Sequence, residues 1–295
     1  MIKYYNRKNK IYEIESVAGD GVLSLIYSNT LGKHFLPSIA KRKFLTTIYG
    51  RFCDMKISKS YISNFVKDFN INMKDYAKNI DEYTSFNDFF YRELTSNSRS
   101  ISDNQNTFIS PCDGKLLAIN KINSDTSFSV KGFKYNIDEL IKNKSISDTY
   151  KNGTCLIFRL CPTDYHRFHF LDSGICSTSK IINGHYYSVN PVALENISNV
   201  FSENKREYSL LKSDNFDDVL YIEVGATFVG SIIQTYSSTI NVNRGDEKGY
   251  FKFGGSTIIV FIKENIVNLD EDILAQSSLG IETAVHFGEK IGVRI

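Results

Sequence analysis

The chain has 295 residues, of which 42% are hydrophobic, 23% are charged and 13% are aromatic. This length suits one large domain or two unequal ones, and the composition excludes global disorder. The net charge of +2 does not indicate a general polyanion-binding protein. Residues 1–52 nevertheless carry nine basic and three acidic residues, so this end is +6 and the remainder is −4. The asymmetry predicts that one end of the molecule meets an anionic surface.

The five cysteines are odd in number and form no C-x-x-C pair. This argues against a disulfide framework or a zinc cluster and favours a reducing compartment. Near the N-terminus, no apolar signal-peptide core follows the basic residues. The longest uncharged run there, residues 21–32, is too short and too polar to span a bilayer. We therefore expect a cytoplasmic protein that is soluble or attached to a membrane surface.

Four helices are predicted within the first hundred residues, because apolar side chains recur there at helical spacing. In chain order these sets are Leu23, Ile26, Tyr27 and Leu31; Phe44, Ile48 and Phe52; Ile62, Phe65, Val66 and Phe69; and Phe86, Phe89, Phe90 and Leu94. Pro37 separates the first two helices. Ser85 and Asp88 have the spacing of a capping box at the start of the fourth.

Beyond about residue 105 the pattern changes to short strands separated by glycines. Apolar or β-branched runs of strand length occupy residues 155–160, 219–224, 228–234 and 256–262. A short helix capped by Asn136 is predicted at Ile137–Ile141. Helices followed by strands predict an α+β fold rather than an alternating α/β fold.

An acid in a tight turn is the first candidate for chemistry. Asp113 lies in the segment SPCDGK of residues 110–115, ahead of a predicted strand over residues 116–119. By itself, the pattern is most typical of a turn aspartate that hydrogen-bonds its own backbone.

Two of the five histidines, His166 and His169, stand three residues apart beside Asp164 and Arg167. On a strand this odd spacing sends the rings to opposite faces, whereas in a helical turn opened by Pro162 they share a face. A metal pair needs further ligands, which no H-E-x-x-H or Cys/His set supplies, so we predict no metal site. The pattern fits both a buried core histidine and general acid–base chemistry at neutral pH.

The third candidate is Ser256, which follows Gly254 and Gly255 and precedes Thr257. The simplest interpretation is a loop before a strand. The segment differs from the G-x-S-x-G nucleophile turn because position 258 is isoleucine. It differs from a phosphate loop because no Gly-Lys-Ser/Thr follows.

Taken together, seven segments in chain order resemble the phosphatidylserine decarboxylase family. They are residues 86–94 (FNDFFYREL), 110–115 (SPCDGK), 165–169 (YHRFH), 187–191 (YSVNP), 224–232 (VGATFVGSI), 253–257 (FGGST) and 288–292 (GEKIG). Each segment alone is a weak signal, but the ordered set covers most of the chain and is specific. The family's processing site is often Leu-Gly-Ser-Thr, and the variant Gly-Gly-Ser-Thr found here keeps the Gly255–Ser256 bond.

The resemblance implies that the chain makes its own cofactor, a pyruvoyl group. Ser256 Oγ would attack the Gly255 carbonyl and convert the peptide bond to an ester. β-Elimination would then leave dehydroalanine at position 256, which hydrolyses to pyruvoyl. The fragments of 255 and 40 residues would stay together because the predicted strand after the cut is buried. The resemblance further implies His169 as the base and Asp113 as the residue that sets its tautomer, while Gly254 permits a close backbone approach.

In the second reaction that the resemblance implies, the pyruvoyl ketone forms a Schiff base with the amine of phosphatidylserine. It then accepts the electrons released when CO₂ leaves. His166, positioned by Asp164, is the expected donor or orienter of the proton that reaches the α-carbon. The product would be phosphatidylethanolamine.

The same resemblance implies how the chain is organised. A helical, membrane-associating segment over residues 1–100 would precede a β-barrel-like catalytic domain over residues 101–295. Its partners would be phosphatidylserine at the cytoplasmic face of the membrane and a second processed unit in a homodimer, without nucleic acid. Each basic residue near an anionic lipid surface adds on the order of 1 kcal/mol. The apolar helical faces fit equally well as ordinary core against the catalytic domain.

Two other functions fit parts of the pattern. A Ser-His-Asp lipid-ester hydrolase needs the same three residues but predicts one intact chain. A non-catalytic module of the lipoyl- or biotinyl-carrier kind needs an exposed lysine in a hairpin, for which Lys248 and Lys252 are poor candidates. Neither alternative explains seven ordered segments.

Overall fold

The computed structural model describes residues 2–15, 50–187, 189, 194, 199–226, 231–254 and 256–295. Its helices are α1 (Ile62–Asp68), α2 (Phe86–Phe90), α3 (Ile137–Ile141), α4 (Lys144–Ser147), α5 (Val200–Glu203) and α6 (Glu271–Ser278). Short 3-10 helices occupy Lys56–Tyr61, Met73–Asp75, Ile80–Glu82 and Asp148–Tyr150.

The strands are short and follow one another closely along the chain. They are β1 (Lys3–Asn6), β2 (Ile11–Ile14), β3 (Thr107–Ile109), β4 (Gly114–Ile119), β5 (Ser127–Val130), β6 (Phe133–Asn136), β7 (Thr154–Leu160), β8 (Arg167–His169), β9 (Gly174–Cys176), β10 (Lys180–Ile182), β11 (Arg206–Ser213), β12 (Asp218–Gly225), β13 (Ile232–Gln234), β14 (Asn241–Val242), β15 (Glu247–Phe251), β16 (Ser256–Ile262), β17 (Val267–Leu269), β18 (Glu282–Val285) and β19 (Lys290–Arg294).

Eleven of these strands form one large sheet. Its order is β14-β9-β11-β12-β16-β7-β4-β18-β1-β2, with β10 pairing beside β11. Strands β7 and β16 lie near its centre, pair antiparallel and are buried along their whole length. Such strands are covered on both faces, which explains their nearly continuous apolar sequences.

The large sheet carries a hydrophobic core on each face. One core joins it to the two three-stranded sheets, β13-β15-β8 and β17-β19-β3. The other core joins it to the β5–β6 hairpin and to α3 and α5. Ile258 belongs to the first core and Ile259 to the second. Because strand residues alternate between faces, Ser256 lies on the face that is covered by the small sheets.

A third core lies in the helical part of the chain and touches the segment that precedes β16. It contains Cys53, Ile62, Tyr83, Phe86, Phe89 and Phe90, and Phe253 packs against it. The amide of Phe253 also donates to Asn87 Oδ1 in α2 at 2.8 Å. Helix α2 therefore fixes the backbone three residues before Ser256.

Several predicted elements are confirmed. Helix α1 covers most of the third predicted helix, and α3 has the predicted bounds. Ser85 caps α2, since its hydroxyl accepts from the Asp88 amide at 3.2 Å. Strands β7, β12 and β16 match their apolar runs to within a residue at either end. The predicted helix at residues 23–31 and most of the next one lie outside the described residues.

Two predictions about the fold are wrong for the described residues. The N-terminal hundred residues are not wholly helical, because β1 and β2 form a hairpin whose first strand pairs parallel with β18. The large sheet is also open rather than barrel-like, since its end strands are β14 and β2. The hairpin extends the sheet outward and leaves Ile11 and Ile14 exposed on the outer strand. Among the described helices, none combines the length and apolar character that a membrane crossing requires.

Candidate active site

Ser256 is the first residue of β16 and is completely buried. Its backbone lies between Leu160 of β7 and Gly225 of β12. Its hydroxyl finds no hydrogen-bond partner among the described residues. An unsatisfied buried hydroxyl costs about 1–3 kcal/mol, which marks the position as a candidate for chemistry. Gly254 has φ +137°, a conformation that favours glycine, while Gly255 lies outside the described residues.

His166 ends the turn that follows β7, and its ring is fully buried. Nδ1 lies 2.9 Å from the Asp164 carbonyl oxygen. Because a carbonyl only accepts, Nδ1 carries the hydrogen and Nε2 carries the lone pair. Within the described part of the chain, Nε2 has no partner. Burial, helped by the nearby charge of Arg92, lowers the pKa of His166 to about 3, so the ring is neutral at pH 7.

Three contacts hold His166 and the segment before Ser256 in the same part of the molecule. The Phe251 amide, at the end of β15, donates to the His166 carbonyl at 3.0 Å. The ring of Phe90 lies 3.9 Å from the His166 ring and 4.9 Å from the Phe253 ring, measured between centroids. Two buried polar atoms that lack partners, a hydroxyl and an imidazole lone pair, thus belong to neighbouring segments.

Arg92 fixes the turn that carries His166. Its guanidinium is buried and donates to the carbonyl oxygens of Thr163 at 2.9 Å and Asp164 at 3.2 Å. The Asp164 carboxylate accepts from Lys115 Nζ at 3.1 Å and from the Cys161 amide at 2.8 Å. Asp164 therefore contacts His166 through its backbone carbonyl, while its carboxylate shapes the turn. Burial alone would raise the pKa of Asp164, but the charge of Lys115 lowers it.

His169 has both ring nitrogens engaged. Nδ1 donates to the Gly245 carbonyl at 3.0 Å, so Nε2 is the atom that accepts from the Tyr165 hydroxyl, also at 3.0 Å. The ring stacks on Phe287 with 3.7 Å between centroids and 13° between planes. Burial lowers the pKa of His169 to about 4. The ring is thus a neutral base whose lone pair holds a tyrosine hydroxyl.

The two histidines face different surroundings. Phe168, between them, packs into the core against the large sheet. His169 instead lines a cleft of about 290 Å³ together with Arg99, Tyr165 and Phe287. The three-residue spacing of the histidines was predicted to place both on a strand or both in a helical turn. Instead, His169 lies on β8 and His166 lies in the turn that precedes it.

Asp113 is buried just before β4 and has partners that the sequence did not predict. Its carboxylate accepts from Arg99 at 2.6 Å and from the Phe287 amide at 2.7 Å, and His286 Nδ1 lies 3.3 Å away. Burial alone would raise the pKa of Asp113, but the hydrogen bond from His286 and the charge of Arg99 lower it below its usual range. The expected hydrogen bond from the His169 ring to the Asp113 carboxylate is not among the described contacts, because Gly245 occupies Nδ1 and Tyr165 occupies Nε2.

Comparison with known proteins places most of these residues within one family match. The family model for phosphatidylserine decarboxylase matches residues 86–293. A curated protein of Clostridium tetani (strain Massachusetts / E88), named phosphatidylserine decarboxylase proenzyme, is 55% identical over 292 residues, which cover 99% of this chain and 98% of that protein. Proteins of the same name from Clostridium novyi (strain NT) and Desulfitobacterium hafniense (strain DSM 10664 / DCB-2) are 52% and 53% identical. The match to the first spans 100% of this chain and 100% of that protein. The match to the second spans 100% of this chain and 99% of that protein.

Proposed function

This chain belongs to the phosphatidylserine decarboxylase family, and we infer that it converts phosphatidylserine to phosphatidylethanolamine and CO₂ with a pyruvoyl group made from its own Ser256. The observation that carries this proposal is the buried Ser256 hydroxyl, which lacks a partner among the described residues and directly follows two glycines. Because no structural hydrogen bond from the described residues holds this hydroxyl, it is available to react with the Gly255–Ser256 peptide bond.

Scission would begin when Ser256 Oγ forms a bond to the Gly255 carbonyl carbon and the C–N bond breaks. The acyl group moves from nitrogen to oxygen, so the step gives an ester and a free amine. Elimination of the ester then releases the Gly255 carboxylate and leaves dehydroalanine at position 256. Water hydrolyses the imine form of that residue to the pyruvoyl ketone and releases ammonia. A serine hydroxyl needs a base for the first step. A neutral imidazole with a low pKa is a base that stays unprotonated at pH 7.

We propose His169 as that base and His166 as the group that orients the substrate in the second reaction. The lone pair of His169 holds only the Tyr165 hydroxyl, whose hydrogen can rotate away. His166 Nε2 is an open acceptor in a neutral ring. It is therefore better suited to accept a hydrogen bond than to donate a proton. Asp164 contributes its carbonyl to the orientation of that ring.

The pyruvoyl group, once formed, supplies the electron sink that decarboxylation of an amino acid needs. The residues around it supply enclosure and orientation. Ser256 and His166 are fully buried, and the Phe90 ring packs against both the His166 ring and the Phe253 ring, so the region is shielded from bulk water. Exclusion of water strengthens the electrostatic interactions that orient a charged substrate.

We propose that the 3-10 helix Lys56–Tyr61 rests on the membrane. Met55, Ile57 and Tyr61 are 56%, 66% and 56% exposed, and Lys56 and Lys59 lie among them. Apolar side chains with neighbouring basic residues suit an anionic lipid interface. Tyr61, Phe65, Phe86 and Phe253 are among the residues that line a groove of about 610 Å³. The cytoplasmic face and the homodimer remain predictions, which fractionation and sedimentation would test.

The proposed function is tested by incubating the purified protein with phosphatidylserine vesicles. We expect release of CO₂ and formation of phosphatidylethanolamine, and neither product with Ser256→Ala. Release of fatty acid without CO₂ would instead support the lipid-ester hydrolase. Equal decarboxylation by Ser256→Ala would contradict the role of Ser256.

A further inference from the structure

Phe287 contacts both Asp113 and His169, and the His169 amide also donates to the carbonyl of Pro111, two residues before Asp113, at 2.8 Å. The backbone amide of Phe287 donates to the Asp113 carboxylate at 2.7 Å. The side-chain ring of the same residue lies nearly parallel to the His169 ring, 3.7 Å away. The carboxylate thus fixes the backbone of Phe287, and the phenyl ring fixes one face of the imidazole.

The turn that carries Phe287 is itself held firmly. The Ser110 amide donates to the Glu289 carbonyl at 2.8 Å, and the Gly288 amide donates to the Ser110 carbonyl at 3.0 Å. Gly288 has φ +79°, and a Cβ there would lie 3.0 Å from the Ser100 carbonyl oxygen. Only glycine fits that conformation and that space easily. The position of Phe287 is therefore set by the segment that contains Asp113.

The stack leaves the edges of the His169 ring free for its two hydrogen bonds. Phe287 covers a face, while Nδ1 and Nε2 bond to Gly245 and Tyr165 in the ring plane. Aromatic pairs in this geometry contribute about 0.5–1.5 kcal/mol beyond the area they bury. A flat neighbour on one face restricts rotation of the imidazole about its own axis without competing for its nitrogens.

We propose that Phe287 is a positioning residue that transmits the orientation fixed by Asp113 to the ring of His169. The proposal rests on the proposed function, in which His169 acts during scission. It also means that the 40-residue fragment after the cut contributes to the site through Phe287 as well as through its first residue. Asp113 would then orient the His169 ring indirectly, without a hydrogen bond between the two side chains in the described contacts.

The direct test is NMR of the imidazole nitrogens in a Ser256→Ala precursor, where no scission intervenes. In that background Phe287→Leu should change the His169 resonances and move its titration midpoint toward the ordinary histidine value. Phe287→Tyr, which keeps the flat ring, should restore most of the original spectrum. His166, which does not touch Phe287 in the described contacts, serves as the internal reference.

The decisive measurement is whether Asp113 and Phe287 affect the His169 resonances in a coupled way. Asp113→Asn should change the His169 resonances, and the change should be smaller in the Phe287→Leu background, because only the direct effect of the Asp113 charge then remains. In the chain with Ser256 intact, Phe287→Leu should slow scission by on the order of tenfold to a hundredfold. Phe216→Leu removes a buried ring that pairs with Phe108, and it controls for general loss of packing.

An unchanged His169 spectrum in Phe287→Leu would overturn the proposal, as would additive effects of the two substitutions. A wild-type chain that never splits would instead contradict the proposed function, while leaving the coupling measurable. Equal slowing of scission by Phe216→Leu would also overturn it, because loss of packing alone would then account for the effect.

Discussion

His166 and His169 are three residues apart in sequence, but the turn that holds the first and the cleft that holds the second give the imidazole ring different surroundings. In the turn, the ring packs against Phe90, and its Nε2 has no partner among the described residues. In the cleft, the ring is stacked on Phe287 and both nitrogens are bonded. Burial keeps both rings neutral at pH 7. The two rings therefore differ in their hydrogen-bonding partners rather than in their protonation state, and the proposed roles rest on that difference.

The largest expected effects come from replacing His166 and His169 in turn, because each substitution should slow a different reaction. His169→Gln should slow scission about a hundredfold or more, since general bases contribute about 10²–10⁴-fold. His166→Gln should allow scission but strongly reduce decarboxylation by the processed enzyme. Appearance of the small fragment over time, followed by CO₂ release, measures the two steps. If His166→Gln blocks scission and His169→Gln does not, the assignments must be exchanged.

The next largest effect concerns Asp113, on the His169 side of the site. Asp113→Asn would leave the Arg99 guanidinium, whose side chain is 15% exposed, without its 2.6 Å carboxylate partner. An uncompensated charge costs about 3–5 kcal/mol when it is fully buried, so the loss here should approach the lower end of that range. We expect a lower free energy of unfolding, measured by denaturant titration of the Ser256→Ala precursor. The double variant Asp113→Asn with Arg99→Met should recover part of the loss. Without such recovery, the ion pair is not the source of the instability.

Acid should weaken the fold because both rings are buried in their neutral form. An unfolded histidine binds a proton near pH 6.5, whereas burial holds the pKa of His166 at about 3 and that of His169 at about 4. The unfolded state therefore binds more protons between pH 6.5 and 4, and the free energy of unfolding should fall as pH falls through this window. The hydrogen bond to Asp113 raises the pKa of His286, which opposes the trend. Its side chain is 57% exposed, so this contribution is smaller.

Denaturant titrations of the Ser256→Ala precursor at pH 7, 6 and 5 measure this dependence. His166→Gln in the same background should reduce the pH slope of the free energy of unfolding, because one of the two buried rings is gone. A slope that His166→Gln leaves unchanged would show that this ring is not neutral and buried in solution.

The smallest expected effect concerns the surface rather than the site. Ile57→Glu should weaken binding to vesicles that contain anionic lipid, because a charge replaces an apolar side chain at the proposed interface. Leu279→Glu is a matched control, since Leu279 is also 66% exposed but lies just after α6. Co-sedimentation with vesicles measures both. Equal loss of binding in the two variants would remove the special role of the 3-10 helix.

Local signals predicted the elements that carry the site. The apolar run of β16 and the serine cap of α2 depend on neighbours in sequence, so both were found correctly. The N-terminal hairpin was missed because β1 is stabilised by β18, more than 270 residues away along the chain. Barrel-like closure was wrong for a related reason, since it depends on which strands end the sheet.

The residues that contact the candidate catalytic side chains were harder to predict than the candidate side chains themselves. Arg99 and Phe287 contact Asp113 from positions 14 and 174 residues away, and neither position has a local pattern that indicates such a contact. Arg92 and Tyr165 lie inside segments that carried the family resemblance, which was the available signal for them. Chemical type identified Ser256, His166, His169 and Asp113 as candidates, but only the fold decides which atoms are left open.

The most direct test of the central claim is intact mass spectrometry of the purified protein beside its Ser256→Ala variant. We expect two chains, of residues 1–255 and 256–295, with the smaller one carrying a pyruvoyl group in place of an amino terminus. Ser256→Ala should remain a single chain. A single uncleaved wild-type chain that still releases CO₂ from phosphatidylserine would contradict the account.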